Sequence, residues 1–120
     1  MKILVCEDNI MTLKTLEFSL KREGHEVFKA TDGDQGIKIL DEQEINLVIT
    51  DINMPYTKGL ELVRHVNTKF EKRIPVIIIS SITLQETKDH ALELGAKGYL
   101  TKPFDLDVLL EMVNSFIPKN

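Results

Sequence analysis

The sequence predicts an α/β fold: a doubly wound five-stranded parallel sheet, order 2-1-3-4-5, with helices on both faces. Three observations carry this. The runs Ile3–Cys6, Leu47–Ile49 and Val76–Ile79 are apolar at consecutive positions, which suits strands covered on both sides. Segments with helical spacing of apolar residues separate the strands, and alternation of this kind gives a parallel sheet. Right-handed crossovers and short connections then favour winding in both directions from one switch point.

Each element has its own warrant. Ile3-Leu4-Val5-Cys6 is the first strand and ends at Glu7-Asp8. Asn9 is placed to cap a helix with Ile10, Leu13, Leu16 and Leu20 on one face, and Gly24 suits its C-terminal end. Glu26–Ala30 alternates in part, as a sheet-edge strand does. Asp32-Gly33-Asp34-Gln35 makes a turn and a capping-box-like start to a second helix, with Ile37 and Leu40 inward. The third strand, Leu47–Asp51, stops on a carboxylate, and Gly59 precedes a helix with Leu60, Val63, Val66 and Phe70 on one face. Ile74-Pro75 introduces the fourth strand, which ends on Ser80-Ser81. Thr83 and Glu86 have capping-box spacing for a fourth helix closed by Gly95. Tyr99-Leu100-Thr101 is the fifth strand, ended by Lys102-Pro103, and Asp105 caps a last helix stapled by Phe104 and Leu109. The ten apolar residues of strands one, three and four contribute ~2 kcal/mol each on burial, ~20 kcal/mol before conformational entropy is subtracted. These three strands are the expected core.

Composition narrows the class of function. At 120 residues the chain is expected to be one domain over positions 1–120. Hydrophobic content of 42% and charged content of 28% are ordinary for a water-soluble fold. A net charge of −4 gives no electrostatic footprint for nucleic acid. No apolar run approaches the ~20 residues of a membrane helix, and no signal peptide opens the chain. The single Cys6 has no internal disulfide partner. A cytoplasmic, bacterial-type protein is the expectation.

The chemistry gathers at the carboxyl ends of the strands, where open α/β sheets bind ligands. In the predicted order strands one and three are neighbours, so Glu7, Asp8 and Asp51 stand beside one another. Carboxylates ~5 Å apart repel by ~3 kcal/mol per pair at an effective dielectric of 20, ~10 kcal/mol for three pairs. That rivals the net stability of a small domain. A cation removes the penalty, and all-oxygen ligands with retained waters describe a Mg²⁺ site. The plainer alternative is that Glu7 and Asp8 only solvate and cap the first helix, since acidic residues favour helix N-termini. Lys102 and Ser80 end strands five and four. Together they complete a set for forming an acyl phosphate: Asp51 as nucleophile, carboxylate metal ligands, a hydroxyl donor and an ammonium.

On these residues the chain resembles the receiver domain of two-component response regulators over nearly its whole length. The features are Glu7-Asp8 after strand one, Asp51-Ile-Asn-Met-Pro55, Gly59, Ser80 and Tyr99-Leu-Thr-Lys-Pro103. The resemblance implies the flavodoxin-like version of the predicted fold. It implies that Asp51 takes a phosphoryl group from a histidine kinase or histidine phosphotransfer protein, with Lys102 and Ser80 holding that group. Mg²⁺, with Mn²⁺ as an alternative, would be bound by Asp8, Asp51 and the Asn53 carbonyl, with Glu7 acting largely through water. Tyr99 would be the switch aromatic that responds when Ser80 moves. The face formed by helix four, strand five and helix five would then be repacked for an output protein or a fused effector domain. Lys102-Pro103 is expected to be cis. Such a chain catalyses its own phosphorylation and slow dephosphorylation without being a conventional enzyme.

Some residues depart from the family pattern or fall outside it. Lys58 stands where many relatives have a small or acidic residue, and Ser81 where alanine is commonest. Ile82 lies two residues after Ser80, where a polar group in some relatives orients water, which points to slow hydrolysis. His25, His65 and His90 are expected to be ordinary surface histidines rather than phosphohistidine sites. Cys6 reads as a buried small hydrophobe. The last helix is broadly apolar and lacks Lys or Arg between Asp105 and Ile117, so a salt-bridged dimer of the transcription-factor kind is not indicated. The competing readings are a small Mg²⁺-dependent aspartyl-phosphate phosphatase, a phosphorylation-independent pseudo-receiver and a flavin binder. The phosphatase needs a general acid where Asn53 stands. The pseudo-receiver is disfavoured by the complete acceptor set, and the flavin binder by the lack of a phosphate-cradling loop after strand one.

Overall fold

The computed structural model describes residues 1–54, 57–69 and 74–118. The elements in order are β1 (Lys2–Cys6), α1 (Ile10–Arg22), β2 (Glu26–Ala30), α2 (Gly33–Glu42) and β3 (Leu47–Asp51). There follow α3 (Gly59–Lys69), β4 (Val76–Ser80), α4 (Gln85–Glu93), β5 (Gly98–Thr101) and α5 (Leu106–Asn114). The strands form one sheet in the order β2-β1-β3-β4-β5, every pairing parallel. The predicted architecture is thus the observed one, with β2 at an edge.

Side chains alternate across a strand, so residue parity sorts the core into two layers. Ile3, Val5, Leu47, Ile49, Ile77 and Ile79 pack on one face with Leu13, Leu16 and Leu20 of α1 and Leu109, Leu110 and Val113 of α5. Leu4, Cys6, Val48, Val76 and Ile78 pack on the other with Leu40 of α2, Leu62, Val63 and Val66 of α3, and Ala91 of α4. β1, β3 and β4 are buried from end to end apart from Lys2. Their consecutive apolar residues are the two half-cores read along one strand.

Helix ends follow local chemistry. The Asn9 side chain accepts from the Thr12 N–H, Asp32 from Gln35, and Asp105 from Asp107. Gly24 and Gly95 adopt positive φ at the ends of α1 and α4, where other residues are strained. Gly59 is required for a different reason. A Cβ there would lie 2.1 Å from the Asp51 carbonyl oxygen and 2.8 Å from Ile52 Cα. The start of α3 therefore rests directly on the backbone that carries Asp51.

Four details differ from the sequence-based expectation. Ile10 is half exposed, because the inward face of α1 runs through Leu13, Leu16 and Leu20. In α3, Leu62 joins Val63 and Val66 in the core while Leu60 is half-buried; Phe70 and Pro55 lie outside the described residues. α4 begins after Leu84, which has no hydroxyl to offer, so the Thr83–Glu86 capping box does not form. His25 is 7% exposed, not a surface residue. Its Nδ1 lies 3.0 Å from the Met1 amino nitrogen.

Cys6 is buried against α2, where a Cβ on Gly36 would meet its Sγ at 2.8 Å. Burial pushes its thiol up to about 12. The thiol is a packing group.

The His25 site makes stability pH-dependent. Burial, then the adjacent Met1 ammonium, lower the His25 pKa below its ordinary 6.5. The unfolded chain then binds the proton more readily, so stability rises with pH across this range and falls as His25 is forced to charge. Urea midpoints are expected to drop on going from about pH 7.5 to about pH 5.5, and His25→Asn is expected to flatten that part of the profile.

Candidate functional site

The parity that sorts the core also builds the site. Glu7 continues the series Ile3, Val5; Asp51 continues Leu47, Ile49; Lys102 continues Leu100. All three belong to the layer facing α1 and α5, at the carboxyl ends of β1, β3 and β5. Cys6 pairs with Thr50 as the last rung between β1 and β3, so Glu7 and Asp51 are the next residues on each strand. Lys102 reaches across β4, about two strand spacings or ~10 Å, on its four-carbon stem.

The ammonium of Lys102 donates to both carboxylates, at 2.6 Å to Asp51 Oδ2 and 2.5 Å to Glu7 Oε1. Glu7 is fully buried and Asp51 is 7% exposed. The Asn9 N–H donates to Glu7 Oε2 at 3.3 Å, and the Asn53 N–H donates to Asp51 Oδ1 at 3.1 Å. Every carboxylate oxygen of the buried pair thus has a donor, as buried charge demands. Asp8 is exposed, and one oxygen each of Glu7, Asp8 and Asp51 lie within 4.8 Å of one another.

Electrostatics show that part of the cation expected to offset this cluster comes from the chain itself. Burial raises the Glu7 pKa, although the Lys102 and Asn9 hydrogen bonds and the Lys102 charge pull the other way. Burial alone would lower Lys102, but hydrogen bonds to Asp51 and Glu7 prevail and raise it. Lys102 is therefore a built-in cation that offsets part of the repulsion. Three carboxylates against one ammonium leave two negative charges, and Asp8 opens on solvent. An all-oxygen set with that residual charge and a wet side fits a hard divalent ion that keeps several waters.

Ser80 and Tyr99 belong to the other layer. Ser80 continues Val76, Ile78, and Tyr99 packs against the α2–α3–α4 core. Ser80 is buried, and its Oγ accepts from the Ile82 N–H at 3.0 Å. The Tyr99 hydroxyl donates to the Ile82 carbonyl at 2.9 Å. Both backbone groups of Ile82 are thus engaged by the two predicted switch residues. Tyr99 holds this seat while Ser80 is still bonded to Ile82, so its seating does not require Ser80 to leave. The Lys102-Pro103 peptide is cis.

Sequence reasoning missed the Lys102–Glu7 bond, the Asn9 N–H on Glu7 and the double engagement of Ile82. The first is implicit in strand parity: Glu7, Asp51 and Lys102 extend one alternating series. The other two depend on loop backbone and carry no side-chain signature.

Residues 3–114 match the sequence model of the response regulator receiver domain. Among solved structures, the receiver domain of Francisella response regulator 1452 is 29% identical, with a TM-score of 0.90, over 96% of this chain and 94% of that one. A response regulator receiver domain protein from Clostridium thermocellum is 31% identical, with a TM-score of 0.89, over 97% and 93%. The response regulator TrrA of Thermotoga maritima, solved in complex with Mg²⁺-BeF, is 28% identical, with a TM-score of 0.86, over 97% and 98%.

Removing the ammonium tests how far Glu7 depends on it. Lys102→Met leaves a buried carboxylate with one backbone donor, and the expected cost at neutral pH is about 2 kcal/mol, below the value for fully buried pairs because Lys102 is partly solvated. With Glu7 held above its ordinary pKa, the native state of that variant favours the protonated acid. The Glu7 contribution to its stability is therefore fully present below about pH 4.5 and is lost as pH rises through the folded pKa. Urea unfolding of Lys102→Met, Glu7→Gln and the double variant checks this; the double variant is expected to recover most of the loss.

Proposed function

This chain belongs to the response regulator receiver domain family, and from that premise we propose that Asp51 accepts a phosphoryl group in a Mg²⁺-dependent reaction. The single observation that best supports this reading is the position of Asp51: at a strand end, nearly buried, with Lys102 Nζ 2.6 Å from one carboxylate oxygen. A carboxylate oxygen of Asp51 attacks the phosphorus of a phosphohistidine donor. The P–O bond forms as the P–N bond breaks, and the electron pair stays with the imidazole nitrogen. Lys102, already in contact with the nucleophile, neutralises charge on the transferring oxygens. Ser80 donates its hydroxyl to the same group once it releases the Ile82 N–H.

The related TrrA structure holds Mg²⁺, and the oxygen set here suits the same ion. Asp8, Asp51 and the Asn53 carbonyl would hold it, with Glu7 contributing through water, and Mn²⁺ is an alternative. When bound, the ion supplies positive charge against the phosphoryl oxygens. Glu7 has a second task in this chain, since it fixes the ammonium of Lys102 beside the acceptor.

Phosphorylation adds about 1.5 to 2 negative charges at Asp51. Ser80 is drawn off Ile82, Tyr99 responds through the same residue, and the α4–β5–α5 face changes. The equilibrium shifts between arrangements that already exist. The donor is a histidine kinase or phosphotransfer protein, and the recipient is an output protein or a fused effector. We read residues 1–120 as one receiver unit working in the cytoplasm. No helix among the described residues is long and apolar enough to cross a membrane.

Incubation with Mg²⁺ and acetyl phosphate, followed by intact-mass measurement, tests the reading. One phosphoryl group is expected on the wild type, and none on Asp51→Asn or after chelation of the metal. Equal labelling of Asp51→Asn would overturn the assignment. Ile82→Glu is expected to shorten the lifetime of the phosphorylated form, because a polar side chain there can orient the attacking water; decay of the mass adduct reports it.

A further inference from the structure

α4 is the most lightly anchored helix. Among its residues only Ala91 is buried, its start lacks a side-chain cap, and Leu84 and Leu92 are largely exposed at its ends. A weak tie can therefore decide where it sits. One such tie is visible. The Lys88 ammonium lies over the Tyr99 ring, 5.8 Å from its centroid. Lys88 is half-buried, and among the described residues it makes no ion pair, so the ring is its charge partner. Its neighbours Gln85 and Asp89 bond to each other instead.

We propose that Lys88 is a positioning residue for Tyr99: its ammonium on the ring face and the Ile82 carbonyl on the hydroxyl hold the tyrosine at two points on the β4–α4 segment. The cation is attracted by the negative face of the ring, and partial burial keeps water from masking that attraction. The hydroxyl bond alone allows the ring to pivot about its oxygen. The second point of attachment removes that freedom and ties α4 to β5. Lys88 thereby sets how readily Tyr99 leaves its seat. This matters for signalling only if the phosphoryl switch proposed above holds, because Tyr99 and Ser80 both bond to Ile82.

The chain has two tyrosines, Tyr56 and Tyr99, so Tyr56→Phe leaves Tyr99 as a single probe. Fluorotyrosine is incorporated in that background, and fluorine NMR is recorded without phosphodonor for the parent, Lys88→Met and Lys88→Arg. Methionine keeps the length of the stem and helix propensity but drops the charge; arginine keeps the cation. The ratio of unseated to seated Tyr99 is expected to rise about two- to fivefold in Lys88→Met and to stay near the parent value in Lys88→Arg. An unchanged signal in Lys88→Met, or an equal shift in both variants, overturns the proposal. Circular dichroism on the same samples shows whether α4 remains helical; a shift that accompanies lost helix also counts against it. Because no donor is present, a chain that never takes a phosphoryl group defeats the reading of Asp51 and leaves this comparison decisive on its own.

Discussion

The organising interaction is the bond of one ammonium to two nearly buried carboxylates. Lys102 leaves β5, crosses β4 and closes on Asp51 and Glu7 at the ends of β3 and β1. Four of the five strands thus meet, directly or by being bridged over, at one charged knot above the sheet. Two carboxylates without that cation would face a desolvation cost of several kcal/mol each. With it, both carboxylates have a cationic partner at the edge of solvent, and the rest of the structure serves to keep that geometry. Asn9 and Asn53 supply backbone donors, and Gly59 lets α3 rest against the Asp51 peptide.

The fold was legible because the sheet is buried on both faces. Consecutive Val, Ile and Leu in Ile3–Val5, Leu47–Ile49 and Val76–Ile79 have few structural solutions, and the helical spacing between them leaves a parallel sheet. Capping chemistry was legible where a side chain performs it, as at Asn9, Asp32 and Asp105. It failed at Thr83, because the cap position of α4 falls one residue later, on Leu84, which has no side-chain acceptor. The burial of His25 is not legible in the sequence, because a histidine is polar and nothing adjacent marks it as covered. A ring nitrogen facing the Met1 amine gives it a polar partner under cover, which no local pattern announces.

The site was legible in its residues and less so in its electrostatics. Glu7, Asp8, Asp51, Ser80 and Lys102 were each placed at a strand end from the sequence, and the strand order brings them to one edge. Strand parity, implicit in the residue numbers, divides them into two groups. Glu7, Asp51 and Lys102 are the charged group, on the α1–α5 side. Ser80 and Tyr99 form the second group, on the α4 side, and bond to the N–H and the carbonyl of the same residue, Ile82. The two groups lie on opposite layers of one sheet and come together at its carboxyl edge.

The lone sulfhydryl has a practical corollary. Cys6 is sealed beneath α2 and is held almost wholly in the unreactive protonated form at neutral pH. A cysteine engineered onto any solvent-facing position would be the molecule's one accessible handle for maleimide dyes or spin labels. The environment of each of the sheet's two layers can then be followed one attachment point at a time, with the native background left untouched.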